Sequence, residues 1–114
     1  YDLTRVKCSA MWAIINKKGN FNIEHTHSNN YLSAAYYVKA PENCGNFKAT
    51  NPNIISRNIY PKSNQSTELN SNTASIKVNE GDLLIFPAYL PHSVETNNSD
   101  DDRVIISFNL DILR

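Results

Sequence analysis

No stretch of this chain keeps an i, i+3, i+4, i+7 apolar pattern over a dozen residues, and Asn, Ser and Thr, which favour turns over helix interiors, interrupt every segment. The pattern predicts an all-β chain. Short runs rich in β-branched and aromatic residues mark the strands at Arg5 to Asn16, Asn20 to His27, Tyr31 to Lys39, Gly45 to Thr50, Asn53 to Tyr60, Ala74 to Val78, Asp82 to Pro87, His92 to Glu95 and Arg103 to Asp111. Turn chemistry separates them: Lys17-Lys18-Gly19-Asn20 is a tight hairpin signal, Pro41 to Gly45 a looser loop, and Asn79-Glu80-Gly81-Asp82 a turn with Gly supplying φ > 0. The polar stretch Tyr60 to Ser75 reads as a mobile surface loop. Short strands at this spacing point to a jelly roll of the cupin type; the Cys, Trp, Cys spacing of an immunoglobulin sandwich is missing.

At 114 residues, the span 1–114 is expected to be a single domain. Six Tyr, four Phe and one Trp are enough to pack a core. Eleven basic residues balance eleven acidic ones, so the chain lacks the one-signed field on which non-specific nucleic-acid or anionic-membrane binding draws. The longest apolar runs, Leu83 to Pro87 and Val104 to Phe108, fall far short of the roughly 20 residues of a membrane span. No basic, apolar, small-residue leader pattern is visible, and a cytoplasmic location is the expectation. Cys8 and Cys44 stand alone, without a C-x-x-C spacing, and are read as reduced thiols. The run Asp100-Asp101-Asp102 reads as a solvated turn.

The chemistry concentrates in the three histidines, His25, His27 and His92. On a strand His25 and His27 project to one side, while Thr26 and Glu24 turn to the other. His92 follows the strand ending Phe86-Pro87 and a short turn that can bring it beside the pair. Three neutral imidazoles hold one face of a divalent first-row metal and leave the other positions open, the arrangement an oxygen-using iron site needs. Gly19 with His25-x-His27, and Gly81 with Pro87 and His92, match much of the cupin signature. No Glu follows at the expected distance, Tyr89 stands where that signature has Gly, and Asn97 lies one position late.

The order His25-Thr-His27, Leu32-Ser-Ala-Ala-Tyr-Tyr37-Val, Gly45-Asn-Phe47, Gly81-Asp-Leu-Leu-Ile-Phe86-Pro, His92-Ser-Val and Arg103-Val-Ile-Ile-Ser-Phe-Asn109 resembles the 2-oxoglutarate and Fe(II) dependent oxygenases. It looks most like the small oxygenases of marine bacteria and their phages. The resemblance runs from Trp12 onward and implies a double-stranded β-helix, Fe(II) and 2-oxoglutarate as cosubstrate, and a dioxygenase that hydroxylates a small-molecule or peptide substrate with release of succinate and CO2. It implies His25, His27 and His92 as metal ligands and Arg103, eleven residues beyond His92, as the group that forks onto the distal carboxylate, with Tyr37 and Ser107 assisting. The chain departs from the family text at His27, where a carboxylate is usual, at Ala34-Ala35, where Gly precedes the Tyr pair, and at Ile105, where Ser is usual. A non-catalytic, cupin-like metal-binding domain is the competing function. If Arg103, Ser107 and Asn109 face inward, Val104, Ile106, Phe108 and Leu110 face outward and need a cover: an N-terminal segment, the strand Val6 to Ile15, or a second copy in a homodimer.

Overall fold

The computed structural model describes residues 3–59, 63–67 and 69–112. Eight strands form in chain order: β1 Val6–Asn16, β2 Asn22–His25, β3 Leu32–Lys39, β4 Phe47–Thr50, β5 Thr73–Ile76, β6 Leu83–Pro87, β7 His92–Val94 and β8 Arg103–Ile112. They build two antiparallel four-stranded sheets, ordered β1-β8-β3-β6 and β2-β7-β4-β5. Successive strands mostly alternate between the sheets, as in a jelly roll, so residues distant in sequence face each other across one interior.

The inner face follows the period-two alternation along β8, where Arg103, Ile105 and Asn109 are buried. Register carries that face sideways: Asn16, Ile14 and Trp12 of β1 stand opposite Arg103, Ile105 and Ser107, and Tyr37, Ala35 and Ser33 of β3 stand opposite Ile105, Ser107 and Asn109. Tyr37, Phe47, Phe86, Val94 and Ile105 form the centre of the core.

The outer face of the same sheet stays open. β1 does not cover it, because β1 pairs edge to edge with β8 and adds its own Met11 and Ile15 (64% and 60% exposed) to the row. Leu83 and Ile85 of β6 continue it at 49% and 54% exposure.

Two sequence expectations change. The predicted strand Asn53 to Tyr60 is instead a short helix, α1 Ile54–Ile59, with Tyr60 outside the described residues. The Asn53 side-chain oxygen accepts the backbone N–H groups of Ile55 and Ser56, an N-cap that outweighs the strand preference of the Ile residues. The predicted loop Tyr60 to Ser75 ends early, since Thr73 to Ser75 belong to β5 and pair with Thr50, Ala49 and Lys48; residues 60–62 and 68 lie outside the described set. Both cysteines are free, Cys8 exposed and Cys44 buried. In the acidic turn, Asp100 pairs with Lys18 at 2.6 Å, both side chains in solvent.

Candidate metal centre

His25 closes β2, and its register partner is His92, the first residue of β7. His27 lies just past the strand end, anchored by its N–H to the carbonyl of Ala88 at 2.9 Å. The turn from Pro87 to His92, which carries the chain from one sheet to the other, and the end of β2 thus deliver all three rings to one place. Ring centroids are 4.3 Å apart for His25 and His92 and 5.0 Å for His25 and His27, and one nitrogen from each of the three lies within 4.8 Å of the others. The same-face pair expected of the sequence is therefore brought together with the third imidazole.

Backbone carbonyls orient two of these rings. His25 Nδ1 lies 2.8 Å from the carbonyl of Ile23, and His92 Nδ1 lies 2.9 Å from that of Leu90. A carbonyl only accepts, so each Nδ1 carries the hydrogen and each Nε2 presents a lone pair. Metal-binding imidazoles are held in this way. Burial lowers the pKa of His92 to about 4, assisted by the neighbouring His25 and His27 and opposed by the Leu90 carbonyl. Burial, then His25, also lowers that of His27. These rings are neutral at pH 7, the form that ligates. Phe47 stacks on His92 at 5.5 Å and Trp12 lies 5.8 Å from His27, while His25 faces solvent.

Glu24 is not part of it. Its carboxylate accepts from the Thr50 hydroxyl at 2.5 Å and faces Arg57 of α1 at 3.8 Å.

From the histidines a cavity runs between the sheets, lined by Trp12, Ile14, Asn22, Ala35, Phe47, Val94, Ile105 and Ser107. Ser107 is half-buried and stands at the Trp12 level. Four residues from Arg103, or about 13 Å along the strand, it belongs to the histidine end rather than the guanidinium end.

Arg103 is fully buried and has no carboxylate partner, so it does not balance the acidic turn. Nη1 donates to the carbonyls of Cys44 and Glu95, the second at 2.8 Å, and Nε donates to Asn16 Oδ1 at 3.3 Å. Among the described residues, Nη2 has no partner and neither has the hydroxyl of fully buried Tyr37. The two-pronged fork expected from sequence is thus half engaged, and the free donors are one guanidinium nitrogen and one phenol. Burial raises the Tyr37 pKa far above its usual value, with Arg103 opposing, so the phenol keeps its proton. Buried polar atoms without partners cost about 1–3 kcal/mol each.

Sequence reading missed Asn16 and Asn22, which line up with Arg103 through Asn16 Nδ2 and Asn22 Oδ1 at 3.3 Å. A signal existed: Asn16 falls in the inward row of Trp12 and Ile14, where a polar residue must find a buried partner.

Comparison with known proteins gives the family and the fold. The profile of the family described as "Putative 2OG-Fe(II) oxygenase" matches residues 10–109. Among curated proteins, none matches the sequence significantly. An oxidoreductase of the 2OG-Fe(II) oxygenase family from Burkholderia pseudomallei superposes with a TM-score of 0.71 at 10% identity, covering 93% of this chain and 43% of its own. A prolyl-4-hydroxylase from Pseudomonas putida gives 0.62 at 14% identity, covering 91% and 51%. HygX from Streptomyces hygroscopicus, solved with nickel and 2-oxoglutarate bound, gives 0.63 at 14% identity, covering 94% and 58%. The chain thus spans 43% to 58% of the length of these structures, and at such identities the likeness is one of fold.

Proposed function

The chain belongs to the 2OG-Fe(II) oxygenase family, and from that premise we propose that it is a dioxygenase that hydroxylates a small molecule or peptide. His25, His27 and His92 would hold Fe(II), and their donor set fits that ion: three imidazoles, two with carbonyl-bound Nδ1 atoms, within 4.8 Å of one another. Arg103 Nη2 and the Tyr37 hydroxyl would take the distal carboxylate of 2-oxoglutarate, and the Ser107 hydroxyl would serve the end nearer the metal.

Held there, Fe(II) and 2-oxoglutarate would supply the oxidation, one oxygen atom of O2 going into a C–H bond of the substrate and the other into succinate with release of CO2. The chain's own residues orient these groups. Neutral imidazoles leave the ion's double positive charge uncompensated, which favours a dianionic cosubstrate. Phe47 and Phe86 pack against His92, the buried member of the triad, while His25 remains open to solvent.

The observation that carries this reading is the convergence of three imidazoles on one cavity between the sheets, in a chain whose interior also holds two buried donors without partners, Arg103 Nη2 and the Tyr37 hydroxyl. Anaerobic addition of Fe(II) and 2-oxoglutarate should give a metal-to-ligand charge-transfer band. No band, with an unchanged melting temperature, would favour a metal-binding jelly roll without turnover. Among the described residues no helix is long and apolar enough to cross a membrane. For the open outer face of the β1-β8-β3-β6 sheet we propose a second copy of the chain as cover, and a monomer in solution scattering would remove that idea.

A further inference from the structure

Arginine carries five N–H donors and no acceptor. That one-sidedness passes through two side-chain amides to the wall of the cavity. Because Arg103 Nε donates to Asn16, Asn16 must present its oxygen there, and its Nδ2 turns the other way and donates to Asn22 Oδ1. With its oxygen taken, Asn22 has only its NH2 group left. That group has no partner among the described residues, and Asn22 lines the cavity while Asn16, 4% exposed, is buried behind it.

Position gives this donor a use. Asn22 stands opposite Val94, one step along the sheet from the paired His25 and His92, and its relay partner Asn16 stands opposite Arg103. It therefore lies between the imidazoles and the guanidinium. No carboxylate lines the cavity. Resting on the reading that the cosubstrate is 2-oxoglutarate, we propose that Asn22 is a recognition residue for that anion, its NH2 held toward the cavity by Arg103 acting through Asn16 as a positioning residue. The three free donors, Arg103 Nη2, Tyr37 Oη and Asn22 Nδ2, then match a ligand made of acceptor oxygens along its length. Asn22, the one of the three residues on the cavity wall, disfavours ligands that present N–H or O–H at its height.

The test is an anaerobic 2-oxoglutarate titration of the Fe(II)-loaded protein, followed by the charge-transfer band, beside a calorimetric titration with Fe(II) alone. Asn22→Ala should weaken 2-oxoglutarate by about tenfold and Asn22→Asp, which puts an acceptor and a charge against the anion, by about a hundredfold. Asn16→Asp accepts from both Arg103 and Asn22, turns the Asn22 oxygen into the cavity, and should cost about tenfold without itself touching the ligand. Asn22→Gln keeps an amide and should recover most of the affinity. Fe(II) affinity should stay within about twofold in Asn22→Ala and Asn22→Gln, which add no charge beside the imidazoles. Wild-type affinity in both Asn22→Ala and Asn22→Asp would overturn the assignment, as would loss of Fe(II) binding in step with 2-oxoglutarate. A wild-type protein that takes Fe(II) but no 2-oxoglutarate overturns the functional reading itself, a different failure from an indifferent Asn22.

Discussion

The Nε2 atoms of His27 and His92 lie 3.4 Å apart although 65 positions separate the two residues. Two ring nitrogens at that distance repel if both carry a proton, and share one hydrogen bond if only one does. A cation held between two lone pairs would replace that proton. Saturation with Fe(II), or with Ni(II) as an inert stand-in, should stabilise the protein by about 2.7 kcal/mol at a hundredfold excess over Kd, a rise of roughly 10 °C in Tm for a domain of this size. His92→Ala should abolish the rise and Thr26→Ala should leave it. Thermal melts with and without metal decide this; an equal shift in His92→Ala would detach the ion from the triad.

The orphaned hydroxyl of Tyr37 gives a prediction with two opposed signs. Tyr37→Phe removes a buried O–H that has no partner, so the ligand-free protein should gain about 1 kcal/mol of stability. The same change removes a donor to the distal carboxylate, and 2-oxoglutarate affinity should fall about tenfold. Denaturant unfolding and ligand titration on one sample check both. A loss of stability together with unchanged affinity would make Tyr37 a packing aromatic.

Protonation of His92 sets the acid limit of the metal-free fold. Its pKa falls from 6.5 unfolded to about 4 folded, chiefly through burial, so the unfolded chain binds the extra proton first. The contribution is therefore fully present above pH 6.5 and is lost as pH falls through the window down to about 4. It amounts to at most about 3 kcal/mol. Melts of metal-free protein between pH 7 and 4 should show this slope, and a His92→Phe variant should flatten it.

What the sequence disclosed and what it hid divide along a physical line. Strand faces follow a period of two, so the inward row of Arg103, Ile105, Ser107 and Asn109, and the three converging histidines, were legible without any pairing partner. The helix Ile54–Ile59 was not, because three Ile residues speak for a strand while the decision rests on one Asn53 cap. Hidden too was the state of the Arg103 fork. Its Nη1 partners are the backbone carbonyls of Cys44 and Glu95, and no side-chain identity encodes a carbonyl that tertiary folding brings near. The relay through Asn16 and Asn22 needs the register of β1 on β8 before the two amides can be seen as neighbours of the guanidinium.

That dependence on carbonyls makes Gly45 a remote control of the site. Its φ of +86° lies where side chains are strained, and an added Cβ would sit 2.7 Å from the carbonyl oxygens of both Glu95 and Thr96. The Glu95 oxygen is the one that holds Arg103 Nη1. Gly45→Ala must push that carbonyl away or twist its own backbone, at a cost of about 2–4 kcal/mol, and either movement loosens the guanidinium. Gly19 and Gly81 have comparable positive φ values of +88° and +87° but nothing within 4 Å of the added atom. Gly19→Ala and Gly81→Ala should therefore cost only about 1 kcal/mol each, from backbone conformation alone, with 2-oxoglutarate affinity unchanged. Urea unfolding of the three variants, read beside their 2-oxoglutarate titrations, separates strain from contact. Equal losses at all three positions would show that the Gly45 contact with the Glu95 carbonyl has no bearing on Arg103.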